Sequence, residues 1–209
     1  MTSLTLIHRV AILVYSPTFR REKFLSMQSF ETERLIIRRF KLEDWKDLQE
    51  YVSQKEVTKY DHEYPDTDED CKGIAVYFSQ WSAVWAVCLK DTEKLIGHIV
   101  CNQTESAELL TWELGFVFNP EFYGKGYATE SCRRILQYAF EELSAHRVTS
   151  HCNPENTSAW KLLERLAMRR EAHHIKNGFL RETPDGMPIW GDCFVYAMLK
   201  EECNKLKGH

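Results

Sequence analysis

Residues 113–130, Glu113-Leu-Gly-Phe-Val-Phe-Asn-Pro-Glu-Phe-Tyr-Gly-Lys-Gly-Tyr-Ala-Thr-Glu130, read as a strand, a glycine turn and the start of a helix. Leu114, Phe116 and Phe118 alternate with Glu113, Gly115 and Val117, which is the two-residue period of a β-strand. Asn119-Pro120 ends it. After Tyr123-Gly124-Lys125-Gly126-Tyr127 the apolar residues fall at helical spacing: Ala128, Cys132, Ile135, Leu136, Ala139, Phe140 and Leu143. The first turn of a helix carries unpaired backbone N–H groups and the positive end of the dipole. Two glycines there let a ligand reach the main chain, so the stretch is built to receive an anion such as a pyrophosphate. Glycines between a strand and a helix also serve as plain connectors. GxxxxGK[ST] is absent, because Gly126-Tyr127 follows Lys125, and a GxGxxG register would place Thr129 where its third glycine belongs.

Composition narrows the setting. The chain has 209 residues, 44% hydrophobic and 28% charged, which suits one globular domain with a sizeable core. A net charge of −4 argues against non-specific nucleic-acid binding as the main task. The seven cysteines are scattered through apolar segments without a CxxC pair and read as reduced core residues of a cytoplasmic protein. The apolar run at residues 10–15 is too short to span a bilayer. Residues 1–26 read as a poorly ordered extension, with a packing arm or a weak membrane contact as alternatives. A single domain is expected over 27–202, and 203–209 as a charged, frayed tail.

Around the central stretch, residues 31–40 predict a first strand. A helix begins at Leu42 with Trp45, Leu48, Tyr51 and Val52 on one face. Residues 57–60 read as a connector and the acidic run 61–70 as a loop, followed by a helix over 67–81. Strands are expected over 83–89, 95–102 and 109–118, and after the central helix over 146–152. Asn153-Pro-Glu-Asn156 leads into a helix with Ala159, Leu162, Leu163 and Leu166 buried, and Asn156 suits its N-cap. Two last strands, 168–181 and 189–199, flank the Thr183-Pro-Asp-Gly186 turn. His173-His174 is no metal pair, because neighbouring strand residues face opposite ways.

Tyr-Gly-Lys-Gly-Tyr-Ala-Thr-Glu after a strand ending Asn-Pro-Glu resembles the coenzyme A pyrophosphate loop of the GNAT N-acetyltransferase superfamily. The resemblance is greatest to its Rim-type branch, which includes ribosomal-protein N-terminal acetyltransferases, and runs from about Glu31 to Glu202. Tyr123 stands at the family's Gln/Arg position, Gly126 at its glycine and Ala128 at its last small residue. Glu31-Thr-Glu-Arg-Leu35 resembles the family's opening strand. Asn153…Asn156…Trp160…Leu163-Glu-Arg-Leu166 resembles its N-x-x-N signature. The resemblance implies an α+β GNAT fold: a twisted, mixed, mostly antiparallel sheet of about six or seven strands with about four helices. It implies acetyl-CoA as cosubstrate, bound by Tyr123, Gly124, Lys125, Gly126, Tyr127, Ala128, Thr129, Asn153 and Asn156, with backbone N–H groups near Val117 or Phe118 on the pantetheine and carbonyl oxygen.

The reaction implied is direct acetyl transfer to a primary amine, without a metal. The acceptor is a protein N-terminus or a small amine; no nucleic acid or membrane partner is expected, and a homodimer stays open. Glu113 is the expected general base, with Glu105 and Glu108 behind it. The proton donor is less legible. Leu163 fills the position of the superfamily's tyrosine, and Ala159 that of the branch's serine. Ser158, one residue or about 100° away, is the catalytic candidate, with Tyr196, His151 or water as substitutes. These departures also admit a non-catalytic acyl-CoA-binding or partner-docking protein. A nucleotide site built on the same loop is a third reading.

Overall fold

The computed structural model describes residues 28–60, 64, 66–104 and 106–207. The N-terminal extension, Glu105 and part of the acidic loop (61–63 and 65) lie outside the described residues. Eight strands form one sheet in the order β1-β2-β3-β4-β5-β6-β8-β7. They are β1 (Phe30–Glu31), β2 (Leu35–Arg38), β3 (Val84–Leu89), β4 (Leu95–Gln103), β5 (Thr111–Phe118), β6 (Arg147–Cys152), β7 (Arg169–Glu182) and β8 (Pro188–Leu199). Six α-helices accompany them: α1 (Trp45–Val52), α2 (Lys55–Thr58), α3 (Asp68–Gln80), α4 (Tyr127–Glu141), α5 (Thr157–Arg165) and α6 (Lys200–Lys207).

All neighbouring strands are antiparallel except β5 and β6, which run parallel because α4 carries the chain back between them. The alternation in β5 sorts its side chains between two cores. Leu114 and Phe118 join Ile99, Ile135, Leu136, Ala139 and Leu163 under α4 and α5. Val117 turns to the other face, where Leu48, Tyr51 and Phe78 of α1 and α3 pack on Val84 and Ala86. β4 and β5 approach so closely that a Cβ on Gly97 would lie 2.5 Å from the Val117 carbonyl oxygen. Only glycine fits there.

The expected α+β arrangement, a mixed and mostly antiparallel sheet with helices, is present, but with more elements than the six or seven strands and four helices anticipated. The first strand is split: Thr32 N–H donates to the Leu35 carbonyl, folding 30–38 into a hairpin. Residues 55–58 form a helical turn rather than a connector. Leu109 and Leu110 leave β5, because residues 107–109 make a 3-10 turn and Leu110 is left-handed at φ 48°. The expected tail is largely α6, which is anchored because Cys203 enters the core and the Glu202 carboxylate accepts from Leu199 N–H and pairs with Arg169. A charge-rich sequence hid that single buried contact.

Candidate active site

The parallel pairing of β5 and β6 runs only through Thr111–Arg147, Trp112–Val148 and Glu113–Thr149. One residue later Ser150 Oγ donates to the Leu114 carbonyl at 2.7 Å. Beyond that point β6 stays with β8, β5 stays with β4, and the two strands part. The gap opens into a cleft of about 1280 Å³ bounded by 115–118 of β5, 150–153 at the end of β6 and the first turns of α4 and α5.

Main-chain direction follows from the strand's two-residue repeat. The Trp112 and Leu114 carbonyls face β6, where they accept from Thr149 Oγ1 and Ser150 Oγ. Phe116 and Phe118 share that direction, at the level where β6 has left. The Val117 carbonyl instead lies against Gly97, and Asn119 N–H donates to the Ile96 carbonyl. Of the two β5 residues singled out in the sequence, Phe118 therefore turns its backbone to the gap. Val117 turns its backbone to β4 and only borders the cleft.

The glycine turn sits at the cleft floor. Gly124 and Gly126 hold φ values of 74° and 83°, and Gly126 caps α4. A Cβ on Gly124 would meet nothing within 4 Å, so the loop is open on that side. Glu130 N–H bonds the Gly126 carbonyl, and Tyr127, Ala128 and Thr129 head the helix with the orphan donors of its first turn. Tyr123, Gly124, Gly126, Tyr127, Ala128 and Thr129 all line the cleft, as do Asn153, Asn156 and Ser158. Lys125 is not among the lining residues: its ammonium lies 5.1 Å from the Phe122 ring and its carbonyl accepts from Arg34 Nη1. Asn156 Oδ1 caps α5 through Ala159 N–H, and Asn153 Oδ1 accepts from Glu155 N–H.

Sequence reasoning did not anticipate the clamp that holds this loop. Glu130 accepts from Thr32 Oγ1 at 2.6 Å, from Arg34 N–H at 3.0 Å and from Arg34 Nε at 2.8 Å. Burial pulls the Glu130 carboxyl upward, but these donors and the Arg34 charge outweigh it and hold it below its ordinary value. Arg34 also stacks 4.6 Å from the Tyr127 ring centre. Thr32 and Arg34 sit in the turn between β1 and β2, and a separation of 96 residues from Arg34 to Glu130 gives no periodicity to read. Arg133, Lys161 and Arg165 add positive charge to the rim.

The polar groups near the gap sort into engaged and available. Tyr196 is fully buried and donates to Glu164 Oε1 at 3.2 Å; burial, then that carboxylate, push its hydroxyl up to about 12. It does not line the cleft, and the Leu163 side chain lies in the core. Ser158 is exposed and Ala159 buried, as the helical turn between them requires. Glu113 is on the α1/α3 face, where its carboxylate lies 3.1 Å from His151 Nδ1. His151 lines the cleft and Glu113 does not. Cys152 also lines it, but burial pushes its thiol up to about 12. Among the described residues no group of three or more His, Cys, Asp or Glu side chains could hold a metal ion. Nor is any described helix long and apolar enough to cross a membrane.

A mixed sheet split at one parallel seam, with an open helix N-terminus in the split, is the arrangement of a GNAT-type acetyltransferase. Residues 34–169 match the acetyltransferase (GNAT) domain, and the chain belongs to that family of N-acetyltransferases. It is 38% identical over 174 residues to the uncharacterized N-acetyltransferase YnaD of Bacillus subtilis, covering 83% of this chain and 98% of that one. The uncharacterized N-acetyltransferase p20 of Bacillus licheniformis is 30% identical over 182 residues, 84% of this chain and 98% of its own. The crystal structure of a GNAT-family acetyltransferase from Bacillus anthracis superposes with a TM-score of 0.73 at 36% identity, covering 84% of this chain and all of that one.

Proposed function

We propose that the cleft binds acetyl-CoA and that the protein passes the acetyl group directly to a primary amine. The observation that carries this reading is the parting of β5 and β6 beside the start of α4, where no side chain caps the first-turn N–H groups. The pyrophosphate lies on N–H groups between Gly124 and Thr129, where the helix dipole adds to the field. The pantetheine takes the place of β6 along β5, with main-chain partners on the Phe118 side of the strand. Asn153 and Asn156 border the same channel. Both side-chain carbonyls are occupied by backbone donors, so each would offer its NH₂ to the ligand.

Direct transfer is favoured because the thiol lining the cleft, Cys152, stays protonated at neutral pH and is a poor acyl acceptor. The acceptor arrives as an ammonium ion and loses a proton to the Glu113–His151 pair. The departing thiolate takes its proton from the attacking nitrogen or from Ser158. An α-amino group, with a pKa of about 8 against roughly 10.4 for lysine, asks least of such a base.

The acceptor itself is the open choice. Two fold neighbours from Vibrio, a ribosomal-protein-S5-alanine acetyltransferase of Vibrio fischeri and a spermidine N-acetyltransferase of Vibrio cholerae solved with CoA and spermine, are 18% and 19% identical. At that distance they support the shared fold and leave a protein N-terminus and a small polyamine as equal proposals. The Rim-type assignment rests on the same motifs.

Calorimetric titration with acetyl-CoA, and with CoA, ATP and NAD for comparison, tests the reading. One-to-one binding of acetyl-CoA at micromolar affinity, roughly 8 kcal/mol, with ATP and NAD far weaker, is the expected result. A folded, monodisperse sample that ignores acetyl-CoA would return the glycine loop to a connector.

A further inference from the structure

Glu113 and His151 reach one another across the last rung of the parallel seam. Glu113 pairs in register with Thr149, and His151 is two residues further along β6, on the same face. The result is a carboxylate–imidazole contact of 3.1 Å at the place where the strands begin to part. The two side chains are not equivalent. His151 borders the cleft, whereas Glu113 lies behind it. An ionised carboxylate only accepts hydrogen bonds, so in the neutral tautomer that fits this contact Nδ1 carries the proton and Nε2 presents its lone pair. Among the described residues Nε2 has no hydrogen-bond partner.

We propose that His151, not Glu113, is the base that touches the acceptor amine, and that Glu113 is a positioning residue fixing the imidazole tautomer. This rests on the acetyl-CoA reading above and refines it. His151 Nε2 takes one proton from the ammonium ion. The freed lone pair forms the C–N bond to the thioester carbon, and the C–S bond breaks. The nitrogen's second proton passes to the thiolate, directly or through the Ser158 hydroxyl. The imidazolium then returns its proton to solvent. The sum is an ammonium ion and acetyl-CoA giving amide, CoA thiol and one released proton.

Few other titratable groups share that face. Cys193 of β8 is held protonated by burial, with Glu113 adding to the effect. His174 of β7 stands opposite Cys193 in register. Arg147, two positions before Thr149 on β6, is engaged by Glu171. Asn102 of β4 sits opposite Glu113 and carries no charge.

The test compares wild type, His151→Ala, Glu113→Gln and the double variant, with an alanine-terminated tripeptide and spermidine as acceptors. His151→Ala is expected to lower kcat/KM for the amine by about 100-fold or more, to abolish the acid limb of its pH profile, and to leave acetyl-CoA affinity within about twofold. Glu113→Gln, whose amide can donate to Nδ1 and turn the tautomer over, should lose nearly as much, and the double variant no more than His151→Ala. Nitrogen-resolved NMR of the imidazole, which needs no acceptor, should find the proton on Nδ1 in wild type and on Nε2 in Glu113→Gln. An Nε2–H tautomer in wild type overturns the assignment. So does a His151→Ala enzyme that keeps more than a third of its kcat/KM while Glu113→Gln collapses. If wild-type protein fails to bind acetyl-CoA, the reading of the whole site falls instead.

Discussion

The smallest determinants of the cleft are single backbone and side-chain choices around Gly126. A φ of 83° costs an L-residue roughly 1–2 kcal/mol, and a Cβ there would stand 3.3 Å from Arg34 Nη2. Gly126→Ala is therefore expected to push the loop and its clamp apart. Acetyl-CoA should bind at least about tenfold more weakly, by titration calorimetry, while the fold survives. Glu130 acts from the other side of the same loop. Its depressed carboxyl pKa means that the folded state favours the ionised form. The stabilisation is complete above the ordinary carboxylate range and is lost as pH falls through the lower, folded-state value. Glu130→Gln should cost about 1–3 kcal/mol at pH 7, measured by urea unfolding, with the difference from wild type shrinking in acid. A difference that grew on acidification would contradict the clamp. None of this clamp was readable from the residue types alone: Thr32, Arg34 and Glu130 look like ordinary solvated positions until the hairpin of β1 and β2 brings them together.

At the scale of elements, the parallel seam between β5 and β6 decides where the cleft lies. The period-two alternation of 113–118 and the glycine turn made strand, loop and helix legible, because local patterning fixes each. Where β5 and β6 separate was not legible, since strand departure is set by a neighbour 36 residues away. Ser150 marks that point: its hydroxyl is buried against the Leu114 carbonyl, the last tie before the gap. Ser150→Ala should leave that carbonyl without its side-chain donor and cost about 1–3 kcal/mol. If Ser150 only fills space, the unfolding midpoint will hardly move. The same reasoning explains the other departures from the expected pattern. Leu110 is apolar but left-handed, so residues 109–110 turn instead of extending β5. Residues 200–207 are mostly charged, yet one buried cysteine and one carboxylate cap make them a helix. Glu113 was recognisable as a strand carboxylate. That His151 would stand between it and the cleft needed the register of two strands joined by a helix.

Across the whole molecule the charge is uneven. The chain carries −4 overall, while Arg133, Lys161 and Arg165 border the cleft beside the start of α4. Arg34 and Arg134 border it too, but they are paired with Glu130 and Glu142. An anion approaching the molecule is repelled by the average surface and attracted at the cleft, which favours capture there over loose binding elsewhere. Exposed charges more than a Debye length apart are screened at moderate salt, and partly enclosed ones much less. Acetyl-CoA affinity should thus fall with ionic strength, by about tenfold between 50 and 500 mM salt, because part of its charge is met at the exposed rim. The remainder should persist, because in the proposed complex the pyrophosphate rests on backbone N–H groups that cannot reorient. Dephospho-CoA, lacking one charged group, should show a shallower dependence. Equal slopes for the two ligands would place the terminal phosphate outside the reach of Arg133, Lys161 and Arg165. A salt-independent affinity would leave the helix N-terminus and the pantetheine channel as the whole of the recognition.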